Sequence, residues 1–153
     1  MAVETFALTG DGNALSENDS GKLFVLKTTV TCSTNGVTAA NVVKLWDIPA
    51  NTLVTEVIAN VRTAEGGTLT IDVGDYLDAD DTAVNADGFL DGINGNSAAA
   101  SKSLGLDVAY GGGGGTNTYG KFYTAATAYI GALFNNTADT AVIDFIAICM
   151  DCR

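Results

Sequence analysis

Histidine is absent from this 153-residue chain. That absence removes Ser-His-Asp and Cys-His nucleophilic systems, HExxH zinc sites and imidazole acid–base catalysis together. Lysine-based or paired-carboxylate chemistry stays open, but a glycosidase needs two carboxylates placed across a cleft, and no sequence pattern places them here. No enzyme is expected. Positive charge is also scarce: seven Lys+Arg stand against 18 Asp+Glu, a net charge of −11. Phosphate is bound by clustered cations that release counterions. With neither a basic run nor a basic face, the chain is expected to bind no nucleic acid and no membrane.

Long apolar runs are missing, and nothing approaches the roughly 18 residues of a spanning helix. The opening Met1-Ala2-Val3-Glu4-Thr5 lacks a basic n-region and an apolar core, so no secretory signal is expected. Three cysteines cannot close a disulfide framework, which fits synthesis in a reducing cytoplasm. Cys149-Met150-Asp151-Cys152 is a lone CxxC with no second pair, and reads as buried or terminal thiols rather than a zinc or redox site. Charged residues make up 16% of the chain, against roughly 25% in an average soluble domain. Such a surface is expected where much of it is buried against partner chains, with a low-charge monomer as the alternative.

What the chain does have is period-two alternation. Leu53, Val57, Ala59 and Val61 fall on one face of residues 53–62, with Glu56, Asn60 and Arg62 on the other. Leu69, Ile71 and Val73 alternate in the same way with Thr68, Thr70 and Asp72. Thr63-Ala64-Glu65-Gly66-Gly67 lies between, so the two strands are expected to form a hairpin. Further strand candidates are Leu23–Leu26 leading into Thr28–Val30, Val42–Trp46, Tyr129–Phe134 and Ala141–Ile148. Trp46 shares a face with Val42 and Ile48 and is assigned to the core. Pro49 is the only proline and sits where it can end a strand. Ala98–Ala100 offers one helical turn at most, and no segment carries a helical stripe with caps. Residues 75–95 and the glycine run Gly111–Gly115 read as long loops. The expected fold is an all-β sandwich of jelly-roll type with long Gly/Asp-rich loops, one domain over residues 22–153. Residues 1–21 are expected to be an extended arm or a frayed terminus.

Two sets of candidate site residues follow. Asp75, Asp78, Asp80, Asp81 and Asp87 cluster in a glycine-punctuated stretch, as a calcium site of hard oxygens requires. The EF-hand pattern fails, and a solvated turn is the alternative. Phe6 and Leu8 in the arm, with Tyr119, Tyr123 and Tyr129, are candidate interface residues, a sugar-stacking platform being the alternative for the tyrosines. No other cofactor is expected.

From Leu45 to Gly92 the sequence resembles a known group. Ile48-Pro49-Ala50-Asn51-Thr52 enters an alternating strand, a Gly-rich turn follows, the next strand ends in Gly74-Asp75, and Ala86-Asp87-Gly88-Phe89 lies in an Asp-rich stretch. This is similar to small structural proteins of tailed bacteriophages, in particular head decoration (cement) proteins. The departure is Asn51, where the pattern favours glycine. Asn also tolerates a left-handed backbone. The resemblance implies a β-sandwich that forms a homotrimer, contacts the major capsid protein and resides on the virion surface. A phage fibre or tail component and a carbohydrate-binding module are the rival functions.

Overall fold

The computed structural model describes residues 6–7, 21–103, 109–111 and 119–153. Among them lie ten strands: β1 (Phe6–Ala7), β2 (Leu23–Thr31), β3 (Asn41–Asp47), β4 (Thr52–Thr63), β5 (Thr70–Leu77), β6 (Ala83–Asn94), β7 (Ala100–Lys102), β8 (Lys121–Tyr123), β9 (Ala128–Phe134) and β10 (Val142–Asp151). The one helical turn among them, α1 (Cys32–Asn35), is closed by Gly36 in the left-handed conformation. Ala100, expected in a helical turn, instead opens β7.

All strand pairs are antiparallel. One sheet runs β1-β2-β10-β4-β7, with β8 also paired to β4, and the other runs β3-β9-β5-β6. The chain is an all-β sandwich, and its repeated passage from sheet to sheet is compatible with a jelly roll. Inward alternation from both sheets fills the space between them. Trp46, Phe89, Phe134 and Phe145 are its largest fully buried side chains, joined by Leu69, Ile71 and Ile130. Pro49 follows the end of β3, and Asn51 takes a positive φ of 58°, as its place in the turn requires.

The structure corrects three expectations. First, β4 and β5 are not a hairpin: β4 pairs with β10, β7 and β8, while β5 pairs with β9 and β6. The link after Thr63 steps between sheets, and the two apolar faces stack across the core instead of lying side by side. Second, residues 75–95 are mostly strand, the end of β5 and all of β6 around a turn. The β5–β6 register shifts between Ile71 and Val73, Val73 and Asp75, and Asp75 and Tyr76. Extra residues of this kind erase the period-two signal that marks a strand. Third, Leu53 does not share the inner face with Val57. A register shift against β10 leaves Thr55 without an opposite partner, so Thr52 and Val54 turn inward and Leu53 outward.

The bulge in β6 explains the glycines of the phage-like motif. A Cβ on Gly74 would lie 1.9 Å from the Asn85 carbonyl oxygen, because the bulged backbone crosses directly over it. A Cβ on Gly88 would lie 2.3 Å from the Tyr110 ring. Phe89, next in the motif, packs against that same ring at 4.9 Å between centroids.

Candidate functional site

Alternation along β5 carries Leu69, Ile71 and Val73 inward, and it carries Asp75 inward as well. Asp75 is 1% exposed, and an isolated carboxylate at that depth is costly unless paired. Its partner comes from the other sheet. Lys121, on β8, places Nζ 2.5 Å from Asp75 Oδ2 and donates to Tyr110 Oη at 2.8 Å. Tyr110 Oη in turn donates to Asp75 Oδ1 at 3.1 Å. The ammonium also stands over the Tyr110 and Tyr123 rings, 4.7 and 5.4 Å from their centroids. Burial opposes the charge on Lys121, but the hydrogen bonds to Asp75 and Tyr110 outweigh it and raise its pKa. Burial also raises the pKa values of Tyr110 and Tyr123, keeping both phenols protonated. The group is thus an ammonium–carboxylate bridge between the two sheets.

The remaining acidic candidates lie elsewhere. Asp78, Asp80 and Asp81 are exposed in the β5–β6 turn, and Asp87 is exposed on the β6 bulge. Asp78 accepts from Lys44 Nζ at 2.7 Å, a cation that also pairs with Asp47 and lies over the Tyr129 ring. The hydrogen bonds that Lys44 donates to Asp47 and Asp78 raise its pKa. Asp80 accepts the Thr82 N–H at 3.1 Å, and Asp81 accepts the Tyr129 hydroxyl at 2.9 Å. Among the described residues, no three acidic or thiol side chains converge on a point where a metal ion would sit. Apart from the bridged Asp75, the second sheet and its turn nevertheless gather Asp47, Asp72, Asp78, Asp80, Asp81, Asp87 and Asp91 against Lys44 alone.

Of the interface candidates, Tyr119 is 71% exposed. Tyr123 is buried at the bridge. Tyr129 is buried too, stacked on Tyr76 at 5.4 Å. Phe6 stands opposite Lys27 in the β1–β2 pairing. Leu8 and most of residues 1–21 lie outside the described residues. All three thiols are free. Cys32 and Cys149 are buried, and burial first of all pushes their pKa values up to about 11 and about 12; Cys152 is exposed.

One constellation escaped sequence reading. Glu65, in the step between sheets, accepts the backbone N–H groups of Asp139, Thr140 and Ala141 at 3.0, 2.9 and 3.0 Å, and the Thr140 hydroxyl at 3.0 Å. These bonds, led by that of the Thr140 N–H, hold its pKa down to about 2. One side chain thereby ties the β4–β5 crossover to the turn entering β10. A glutamate in a Gly-rich turn gives no sign of such a partner 74 to 76 residues away.

These features define a double-sheet antiparallel sandwich with an acidic second sheet. No protein-family model matches the sequence, and no curated protein does. Solved structures match the fold over nearly its whole length. A chain in the capsid of Ralstonia phage GP4 has a TM-score of 0.63 at 14% identity, covering 93% of this chain and 92% of that one. A chain in the cyanophage Pam1 capsid asymmetric unit gives 0.58 at 16%, covering 90% and 89%. A chain in the acidic stable capsid of Helicobacter pylori bacteriophage KHP30 gives 0.57 at 14%, covering 86% and 89%. At these identities the likeness is one of fold.

Proposed function

We propose that this chain is a non-enzymatic virion structural protein, a decoration or cement protein that binds and stabilises the assembled phage head. One observation carries the reading: three phage capsid structures each contain a chain of this fold, matched over about nine tenths of both partners. Similar coverage on both sides makes those chains about as long as this one, so the likeness is to small single sandwiches. The resemblance of Leu45–Gly92 to head decoration proteins supports the same role, as a homotrimer contacting the major capsid protein on the virion surface after synthesis in the host cytoplasm. The absence of histidine and the engagement of Lys121 with Asp75 and Tyr110 support a non-enzymatic role.

Stabilisation would be a matter of linkage. A protein that binds only the assembled shell adds RT ln(1 + [L]/Kd) per site to that state, about 2.7 kcal/mol at a hundredfold excess over Kd. The test is quantitative mass spectrometry of gradient-purified particles, with heads and tails separated, followed by heating of heads made with and without the gene. The expected result is many copies per head and a lower disruption temperature without the chain. Recovery with tails alone supports the fibre or tail reading, and absence from particles sinks the virion reading.

A further inference from the structure

Among the described residues the sandwich has two layers, so the outer face of each sheet is expected to meet water and to be polar by alternation. The first sheet breaks this rule at one end. The register sets Leu23 of β2, Met150 of β10, Leu53 of β4 and Phe122 of β8 in one row across four strands, and Val25 and Ile148 beside it in the next. Leu23, Val25 and Phe122 are 68%, 37% and 47% exposed, and Met150, Ile148 and Leu53 are half-buried. β10 is apolar on both faces for most of its length, although only one face meets the core. A contiguous apolar patch of this kind marks an interaction surface.

Charge selects the occupant. Two copies of a chain carrying −11 repel one another, and most strongly through the second sheet, where seven carboxylates besides the buried Asp75 stand against Lys44. With Lys121 and Asp151 turned inward, the described side chains on the outer face of the first sheet set Lys27 and Arg62 against Glu56 and Asp144, in balance. Its outer face presents both signs: Lys27 and Arg62 flank Asp144 at 3.8 and 3.6 Å, and Glu56 stands opposite Ile148. A near-neutral apolar face with both signs beside it is complementary to itself. We infer that the outer face of the first sheet, centred on Leu23, Met150, Leu53 and Phe122, packs against the same face of neighbouring copies of this chain. The inference rests on the self-assembly part of the proposed function and names its surface. It leaves the acidic sheet facing solvent.

The test is the molar mass of the full chain by light scattering coupled to size exclusion, at micromolar concentration and at low and high salt. The wild type is expected at a multiple of 15.6 kDa, more completely associated at high salt because screening relieves net repulsion. Leu23→Asp with Phe122→Asp is expected to run at the mass of one chain with an unchanged far-ultraviolet circular dichroism spectrum, since both side chains already face water. Val84→Asp, at a 50% exposed site on the second sheet, is expected to stay associated. A monomeric wild type overturns the inference, while association with heads is settled separately by the particle experiment. An oligomer that survives the double substitution, or that salt dissociates, also overturns it; the latter outcome points to cationic first sheets docking on acidic second sheets.

Discussion

Replacing Lys121 with methionine tests whether the bridge between sheets governs stability. Methionine keeps much of the stem's volume and removes the charge. Asp75 is then left 1% exposed with Tyr110 Oη, at 3.1 Å, as its remaining partner on the bridge. Breaking a buried ion pair by removing one partner costs about 3–5 kcal/mol. The lysine side chain is 22% exposed, so water relieves part of the loss and the lower end, about 3 kcal/mol, is expected. For a chain of this length that corresponds to a fall in Tm of roughly 6–12 °C. Asp75→Asn alone leaves the ammonium with Tyr110 and partial hydration, a loss of about 2 kcal/mol. Combining the two removes both charges, so the double variant should be more stable than the sum of the singles implies, with a coupling energy of about 2 kcal/mol. Urea unfolding of all four proteins at one fixed concentration measures this cycle. Additive singles, or a Lys121→Met variant within about 0.5 kcal/mol of wild type, would refute the bridge as a source of stability.

Gly74→Ala pushes a methyl group into the Asn85 carbonyl, a backbone atom that cannot rotate away, and is expected to cost about 3 kcal/mol or more by thermal or urea unfolding. Gly67→Ala, with nothing within 4 Å, should leave stability unchanged or raise it by up to about 1 kcal/mol. The Glu65 pKa, held at about 2, is depressed relative to an unfolded chain, so its contribution is present above the ordinary glutamate range and fades as pH falls from about 4.5 toward 2. The stability gap between wild type and Glu65→Gln should therefore be widest near neutrality, narrow below about pH 4.5 and close below about pH 2; a gap independent of pH would contradict the assignment. In the β5–β6 turn, Asp78, Asp80 and Asp81 already serve Lys44, the Thr82 N–H and the Tyr129 hydroxyl. Millimolar calcium is therefore expected to leave Tm unchanged, and a saturable rise abolished by chelator would establish the metal site instead.

Much of the core was legible because it depends on local alternation. Leu69, Ile71 and Val73 lie inward, Trp46 is buried 2% exposed, and β3 stops before Pro49. The bridge was half legible: continuing the same alternation by one step places a carboxylate on an inward face, which announces a buried partner. Which cation supplies it was not, because Lys121 lies 46 residues further on and meets Asp75 only through the pairing of β8 with β4. Bulges account for most of the other departures. One extra residue at Thr55 turns Leu53 outward, and several in β6 make a twelve-residue strand read as loop. The phage-like motif acquires a physical reason from that bulge, since Gly74 and Gly88 are the positions where backbone or ring approaches too closely for a side chain.

The charge pattern shows why topology decides what composition leaves open. From Glu65 to Asp91 the sequence carries eight carboxylates and no cation, whereas the net charge of −11 by itself describes a uniformly acidic molecule. The fold sets most of that run in the second sheet, through β5, β6 and their turn, while β4 carries Glu56 and Arg62 to the first. The result is two unlike surfaces, one acidic and kept apart from its copies by repulsion, the other near neutral and apolar at one end. The association inferred above would use the near-neutral surface, a preference set by which strands share a sheet rather than by any single residue.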